Sequence, residues 1–343
     1  MKPTHSTPDS GTGIFRAAND ALEHAGCAGG PRSPRLGLVL SAGGARGLAH
    51  VGVIQVLEEN GIPVTAIAGT SMGAYVGAVY AAGLDGAGLE RLAREIPDRK
   101  ALRAMLDFAI PPTAGLIRGN RIRRHLERTL GDLTFEQLRR PLMVVATDLD
   151  ALQSHVFDSG PVAPAVHASA AIPGICTPVQ LGGRRYTDGG AVDPLPVTLL
   201  RSRFDVDLVV AVNVLPTYDD LERCKDAAFT SLIRKTSIVS RLLRPVNLLA
   251  DGNVLDTFRR ALMCAQVGLV EKEAREADVL IHPFHCGSSW CDFENHDRYI
   301  ETGRMAAERA LPAIRALISS TATPTPTSHE IPPINSGLGC VAA

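Results

Sequence analysis

The chain has 343 residues, 45% apolar and 21% charged, so it can bury a large core, and its net charge of −1 gives no global pull toward nucleic acid. No apolar run approaches the roughly 20 residues of a spanning helix, and residues 1–10 lack a hydrophobic signal core. Seven cysteines without metal-like spacing favour neither a zinc site nor a complete disulfide framework, so a reducing cytoplasm is the expected location.

Residues 1–34, rich in Gly, Ser, Thr, Pro and Ala, read as a disordered tail. The apolar run 35–40 suits a buried strand and leads into Ser41-Ala-Gly-Gly-Ala-Arg-Gly47. Leu48, Val51, Ile54 and Val56-Leu57 then recur near a helical period up to Asn60-Gly61. A second apolar run at 64–68 meets Gly69-Thr-Ser-Met-Gly73, and small residues follow at 74–82. This β-α-β-α order predicts a mostly parallel sheet in a three-layer α/β/α fold. Further strands are expected at 142–147, 155–157, 208–214 and 279–282, and helices at 120–130, 163–170, 228–243, 253–275 and 296–318. The Ser/Thr/Pro-rich stretch 319–343 reads as a second disordered tail, leaving 35–318 as one domain.

Two loops carry chemistry. In Gly69-Thr-Ser-Met-Gly73 the glycines permit a sharp strand-to-helix turn that lifts the Ser71 hydroxyl to a helix N-terminus, as a nucleophile requires. The bland alternative is a glycine-rich turn with a capping serine. Around Gly43, Gly44, Ala45 and Arg46, amides converge at a helix start and suit either a phosphate or the oxyanion of an acyl-transfer intermediate. No Gly-Lys-Ser/Thr follows, and Ala42 stands where a dinucleotide fingerprint has its first glycine. Since both loops face the C-terminal edge of the sheet, the oxyanion hole is favoured, with plain helix packing as the alternative.

A base for Ser71 is sought in Tyr186-Thr-Asp-Gly-Gly190, where Asp188 ends an extended segment, although Asp-Gly also makes hairpin turns. A Ser71-Asp188-His order, with His282, His285 or His296 third, would instead match an α/β-hydrolase esterase. Against it, Ser71 follows only the second apparent strand.

In this order, Ser41-Ala-Gly-Gly-Ala-Arg-Gly47, Gly69-Thr-Ser-Met-Gly73 and Asp188-Gly-Gly190 resemble the three signatures of the patatin-like phospholipase family, particularly its short bacterial members. Ala146-Thr-Asp-Leu149, Ala168-Ser-Ala-Ala-Ile-Pro173 and Ala277-Asp-Val-Leu-Ile281 agree as well, so the resemblance covers about residues 35–315. It implies a phospholipase A-type acyl hydrolase with a Ser-Asp dyad: Ser71 acylated, Asp188 the base, and an oxyanion hole at Gly43, Gly44, Ala45 and Arg46. It implies no metal or cofactor. Ala42 departs from the family's first glycine, which implies a small change of loop shape. An aspartate base also requires burial that raises its pKa. A patatin-like scaffold with a vestigial site, acting as a regulatory protein, is the non-enzymatic alternative.

A phospholipid or other acyl lipid would be met at an interface, and peripheral membrane contact is expected rather than nucleic-acid binding. Arg118, Arg121, Arg123, Arg124 and Arg128 form one basic cluster, and residues 231–249 mix Arg234, Lys235, Arg241 and Arg244 with apolar side chains that include Leu232, Ile233, Ile238, Val239, Leu242 and Leu243; solvated helices are the alternative for both. Residues 106–117 could form an apolar flap or a plain surface loop. The terminal Cys340-Val-Ala-Ala343 fits a prenylation pattern that matters only where a prenyltransferase is present.

Overall fold

The computed structural model describes residues 34–95, 106–224 and 254–322. Strand β1 (Leu36–Leu40) enters the glycine loop, a short 3₁₀ turn (Gly44–Leu48) and helix α1 (Ala49–Glu59). After β2 (Val64–Thr70), Ser71 turns the chain into α2 (Met72–Ala81), followed by α3 (Gly86–Ala93) and α4 (Asn120–Leu130). Strands β3 (Leu142–Asp148) and β4 (Gln153–Phe157), helix α5 (Val162–Ser169), and strands β5 (Val179–Leu181) and β6 (Arg184–Asp188) come next. The chain continues through α6 (Val197–Arg203), β7 (Leu208–Val212), α7 (Tyr218–Arg223), α8 (Val254–Glu273), β8 (Val279–Ile281) and α9 (His296–Ala322).

The centre of the sheet is parallel, in the order β3-β2-β1-β7-β8. Parallel strands covered on both faces are apolar at nearly every position, and alternate side chains pack to opposite layers. Leu36, Leu38 and Leu40 of β1, with Val210 and Val212 of β7, join the large core that includes α1, α2 and α9. Val39, Val209 and Ala211 turn the other way, against Leu200 of α6 and Val270 of α8. The expected α/β/α layering and the parallel centre are present.

The β3 end of the sheet is antiparallel: β4 and β6 both pair with β3, and β5 pairs with β6 through a Gly182-Gly183 turn. The sequence gives no apolar run for β5 and β6, because this hairpin is half-exposed and carries Arg184 and Arg185. Helix α9 runs to Ala322, past the expected domain boundary. The helix expected at 228–243, the basic amphipathic stretch 231–249, and Cys340 lie outside the described residues.

The core layer makes a direct prediction. Ile67 is fully buried and Leu280 is 40% exposed. Ile67→Ala should cost about 2–5 kcal/mol in urea unfolding, whereas Leu280→Ala should cost less than about 1 kcal/mol. Equal losses would contradict this placement of the sheet.

Candidate active site

Strand β3 brings two distant segments together. Its Val145 pairs with Thr70, the last residue of β2, and its next residue, Ala146, pairs with Asp188, the last residue of β6. Strand β4 pairs with both Val145 and Ala146, so β2 and β6 share the opposite edge of β3 and follow one another along it. Ser71, one step beyond Thr70, therefore meets Asp188. The Ser71 hydroxyl donates to Asp188 Oδ2 at 2.6 Å, with both residues only 6% exposed.

The turn at Ser71 is sharp. Ser71 has φ 56° and ψ −119°, a conformation that costs on the order of 1–3 kcal/mol for a side-chain-bearing residue. The flanking glycines are required by close approach: a Cβ at Gly69 would lie 2.6 Å from the Gly73 carbonyl oxygen, and one at Gly73 would lie 2.1 Å from that of Leu40. The Ser71 amide donates to Ser169 Oγ at 2.8 Å, and that hydroxyl donates to the Val145 carbonyl at 2.6 Å. Two residues later, the Ala171 carbonyl accepts from the Asp188 amide at 2.8 Å and from Thr187 Oγ1 at 2.5 Å. Residues 169–171 thus hold both partners. The sequence marks Ser169 only as one residue of an Ala-Ser-Ala-Ala-Ile-Pro stretch and gives no sign of this bridge.

Burial pushes the Asp188 carboxyl up to about 6, against the hydrogen bonds from Ser71 and from the Gly190 amide (2.7 Å), which favour its charged form. Asp193 is also raised, to about 7, by burial and then by Glu273, and its carbonyl accepts from Thr70 Oγ1 at 2.9 Å.

The glycine loop packs beside the serine, since a Cβ at Gly47 would lie 2.3 Å from Met72 Cγ. Gly44 has φ 59° beneath the Trp290 carbonyl, where a Cβ would lie 2.3 Å from the oxygen. The Ala45 amide donates to that same carbonyl at 2.8 Å. Arg46 donates through Nε to Ser288 Oγ at 3.0 Å and through Nη2 to the Ser288 carbonyl at 3.1 Å. Among the described residues the Gly43 and Gly44 amides make no hydrogen bond. The covering segment is tied by a disulfide between Cys224, at the end of α7, and Cys286, a pair that irregular cysteine spacing does not announce.

The histidines are engaged elsewhere. His282 bonds the Asn213 carbonyl at 2.8 Å and Asp220 Oδ2 at 2.5 Å, His285 lies against the Tyr299 ring, and His296 bonds Asp297 Oδ1 at 3.1 Å. None of the three bonds Ser71 or Asp188. His50, under the glycine loop, bonds the Ser41 carbonyl at 2.9 Å, and burial lowers its pKa to about 4, which keeps it neutral at pH 7.

Residues 38–201 match the family model of the patatin-like phospholipases. This part of the chain is a patatin-like phospholipase domain. The matched span contains the glycine loop, Ser71 and Asp188. The chain is 44% identical over 186 residues to an uncharacterized NTE family protein of Mycobacterium tuberculosis, covering 54% of this chain and 50% of that protein. A second such protein from the same organism is 32% identical over 278 residues, 81% of this chain and 46% of the relative. The chain thus matches about half the length of these relatives. A lysophospholipase of Saccharomyces cerevisiae is 34% identical over 204 residues, 59% of this chain and 12% of that enzyme. Among solved structures, VipD from Legionella pneumophila aligns at a TM-score of 0.41 and 15% identity over 85% of this chain and 67% of that one.

The raised Asp188 pKa of the patatin-like domain fixes a pH dependence. Between the ordinary 3.8 and about 6 the folded protein retains a proton that the unfolded chain has lost, so stability falls as pH rises through that window. The lost stability is on the order of 3 kcal/mol. Asp188→Asn removes it: the variant should be more stable than wild type near pH 8, and the gap should close near pH 4. Urea unfolding at both pH values reads this, and a gap independent of pH would contradict the raised pKa.

Proposed function

We propose that the chain hydrolyses carboxylic esters of lipids, as a phospholipase A or lysophospholipase, through an acyl-enzyme on Ser71. The observation that carries the proposal is the 2.6 Å hydrogen bond from the Ser71 hydroxyl to Asp188, buried at the point where β2 and β6 meet on β3. Asp188 Oδ2 takes the hydroxyl proton as Ser71 Oγ attacks the acyl carbon. The Gly43 and Gly44 amides receive the oxyanion, while Ala45 and Arg46, anchored on Trp290 and Ser288, hold the loop in shape. Protonated Asp188 then gives its proton to the leaving alcohol oxygen. In the second half, Asp188 deprotonates a water that attacks the ester carbon, Ser71 regains its proton, and the fatty acid leaves.

A carboxylate of ordinary pKa is a weak base toward a serine hydroxyl, and a value near 6 narrows the mismatch. The match to the patatin-like family model and the identity to a lysophospholipase support lipid esters as the substrate class. The histidine contacts weigh against a Ser-His-Asp esterase, and the made Ser71–Asp188 bond weighs against a vestigial site.

Ser71→Ala should abolish fatty-acid release from phospholipid and lysophospholipid, and labelling by a fluorophosphonate, while circular dichroism stays unchanged. Asp188→Asn should lower turnover by about 10²–10⁴, whereas Ala at His282, His285 or His296 should leave it within a few-fold. A fold-preserving loss at one histidine as large as that at Asp188 would overturn the dyad.

A further inference from the structure

Residues 106–119 form a loop closed by main-chain bonds from Ala109 to Leu116 and from Arg118 to Asp107. Its tip, 108–114, carries no charge and is nearly all exposed, with Phe108 62% and Ile110 83% accessible. Two large apolar side chains on one exposed tip call for an apolar environment that the described residues do not supply. The base of the loop is fixed: Ile117 is buried with Ala171 and Cys176, and Asp107 accepts from the Gly119 and Asn120 amides at the start of α4.

Helix α4 leaves this loop with a stripe of arginines. Arg121, Arg124 and Arg128 are spaced three and four residues apart, which places them on one helical face, Arg118 stands just before the helix, and all four are exposed. Among the described residues Arg118, Arg124 and Arg128 make no ion pair; Arg121 donates to the Leu106 carbonyl, linking the stripe to the loop. Of the carboxylates nearby, Glu95 acts on His125 and Tyr75, Glu127 is paired with Arg123, Asp107 caps the helix, and Asp132 lies beyond its end. The surface is therefore an uncharged apolar tip beside a cationic stripe.

The base of this surface is tied to the segments that carry Ser71 and hold Asp188. The Tyr75 hydroxyl, one turn after Ser71, bonds His125 of α4 at 2.8 Å. Ile117 donates its amide to the Ile175 carbonyl, four residues from the Ala171 carbonyl that holds Asp188.

We propose that the 108–114 tip and the arginine stripe of α4 form a docking face for an anionic lipid bilayer. The tip inserts among the acyl chains and the arginines lie against the anionic headgroups. A diffuse layer of negative charge suits Arg124 and Arg128, which pair with no carboxylate among the described residues, and the uncharged tip suits the hydrocarbon behind that layer. The role of this face in substrate delivery rests on the proposed lipid hydrolysis, but docking itself is independent of turnover.

The test uses the Ser71→Ala chain, so that no lipid is consumed, and sedimentation with vesicles of phosphatidylcholine with or without phosphatidylglycerol. The protein should partition onto the anionic vesicles, weakly onto the neutral ones, and less as salt is raised. Phe108→Asp with Ile110→Asp, and separately Arg124→Glu with Arg128→Glu, should each lower partitioning by about tenfold or more. The same pairs placed in the Ser71-containing chain should keep wild-type turnover on a soluble short-chain ester. Failure to bind either vesicle, equal binding to both, or unchanged binding by both variant pairs would overturn the docking face. Loss of ester turnover in the wild-type chain with vesicle binding intact would overturn the hydrolase reading and leave docking standing.

Discussion

A single strand sets the geometry on which the site depends. Two segments that place Ser71 and Asp188, 117 residues apart in sequence, reach the same edge of β3, one ending at Thr70 and the other at Asp188. Because neighbouring residues of β3 fix both ends, the separation of the two side chains follows from strand register. The polar ties at this junction are few and buried: Thr147 Oγ1 donates to the Asp188 carbonyl at 2.8 Å, and Ser169 joins the Ser71 amide to β3. A buried hydrogen bond of this kind contributes about 1 kcal/mol net, but leaving one partner unsatisfied costs more. Their removal should therefore disturb placement more than it lowers global stability.

The conformation of Ser71 is unfavourable in isolation and persists because its surroundings over-determine it. The glycines on either side admit backbone where a methyl group would collide, Ser169 satisfies the amide, and α2 begins at the next residue. The glycine loop is held in the same manner. Trp290 and Ser288 occupy its Ala45 amide and Arg46 side chain and leave the Gly43 and Gly44 amides without a hydrogen bond among the described residues. In the proposed mechanism this supplies preorganised donors for a charge that exists only during reaction.

Much of this was legible in the sequence because each part is short and local. Glycines mark the turn at Ser71 and the loop at Gly43, and continuous apolar runs mark β1, β2, β3 and β7. Helix α4 begins and ends where its sequence pattern places it, at 120 and 130. The hairpin of β5 and β6 was not legible, since Arg184, Arg185 and two glycines hide a strand whose pairing partner is remote. With it went the reason why Asp188 meets Ser71, a tertiary fact of register that no local pattern carries. The roles of Ser169, Trp290 and the Cys224–Cys286 bond are hidden for the same reason, because each joins residues far apart in the chain.

The central claim is that Asp188 serves Ser71 as its base, and the pH dependence of kcat/KM on a soluble ester tests it most directly. The account predicts that the rate rises with pH through an apparent pKa of about 6, as Asp188 loses its proton, and then levels. In Asp188→Asn that rise should vanish from the residual activity. A rise near pH 6 that survives in Asp188→Asn, or one that disappears on replacing a histidine, would contradict the account.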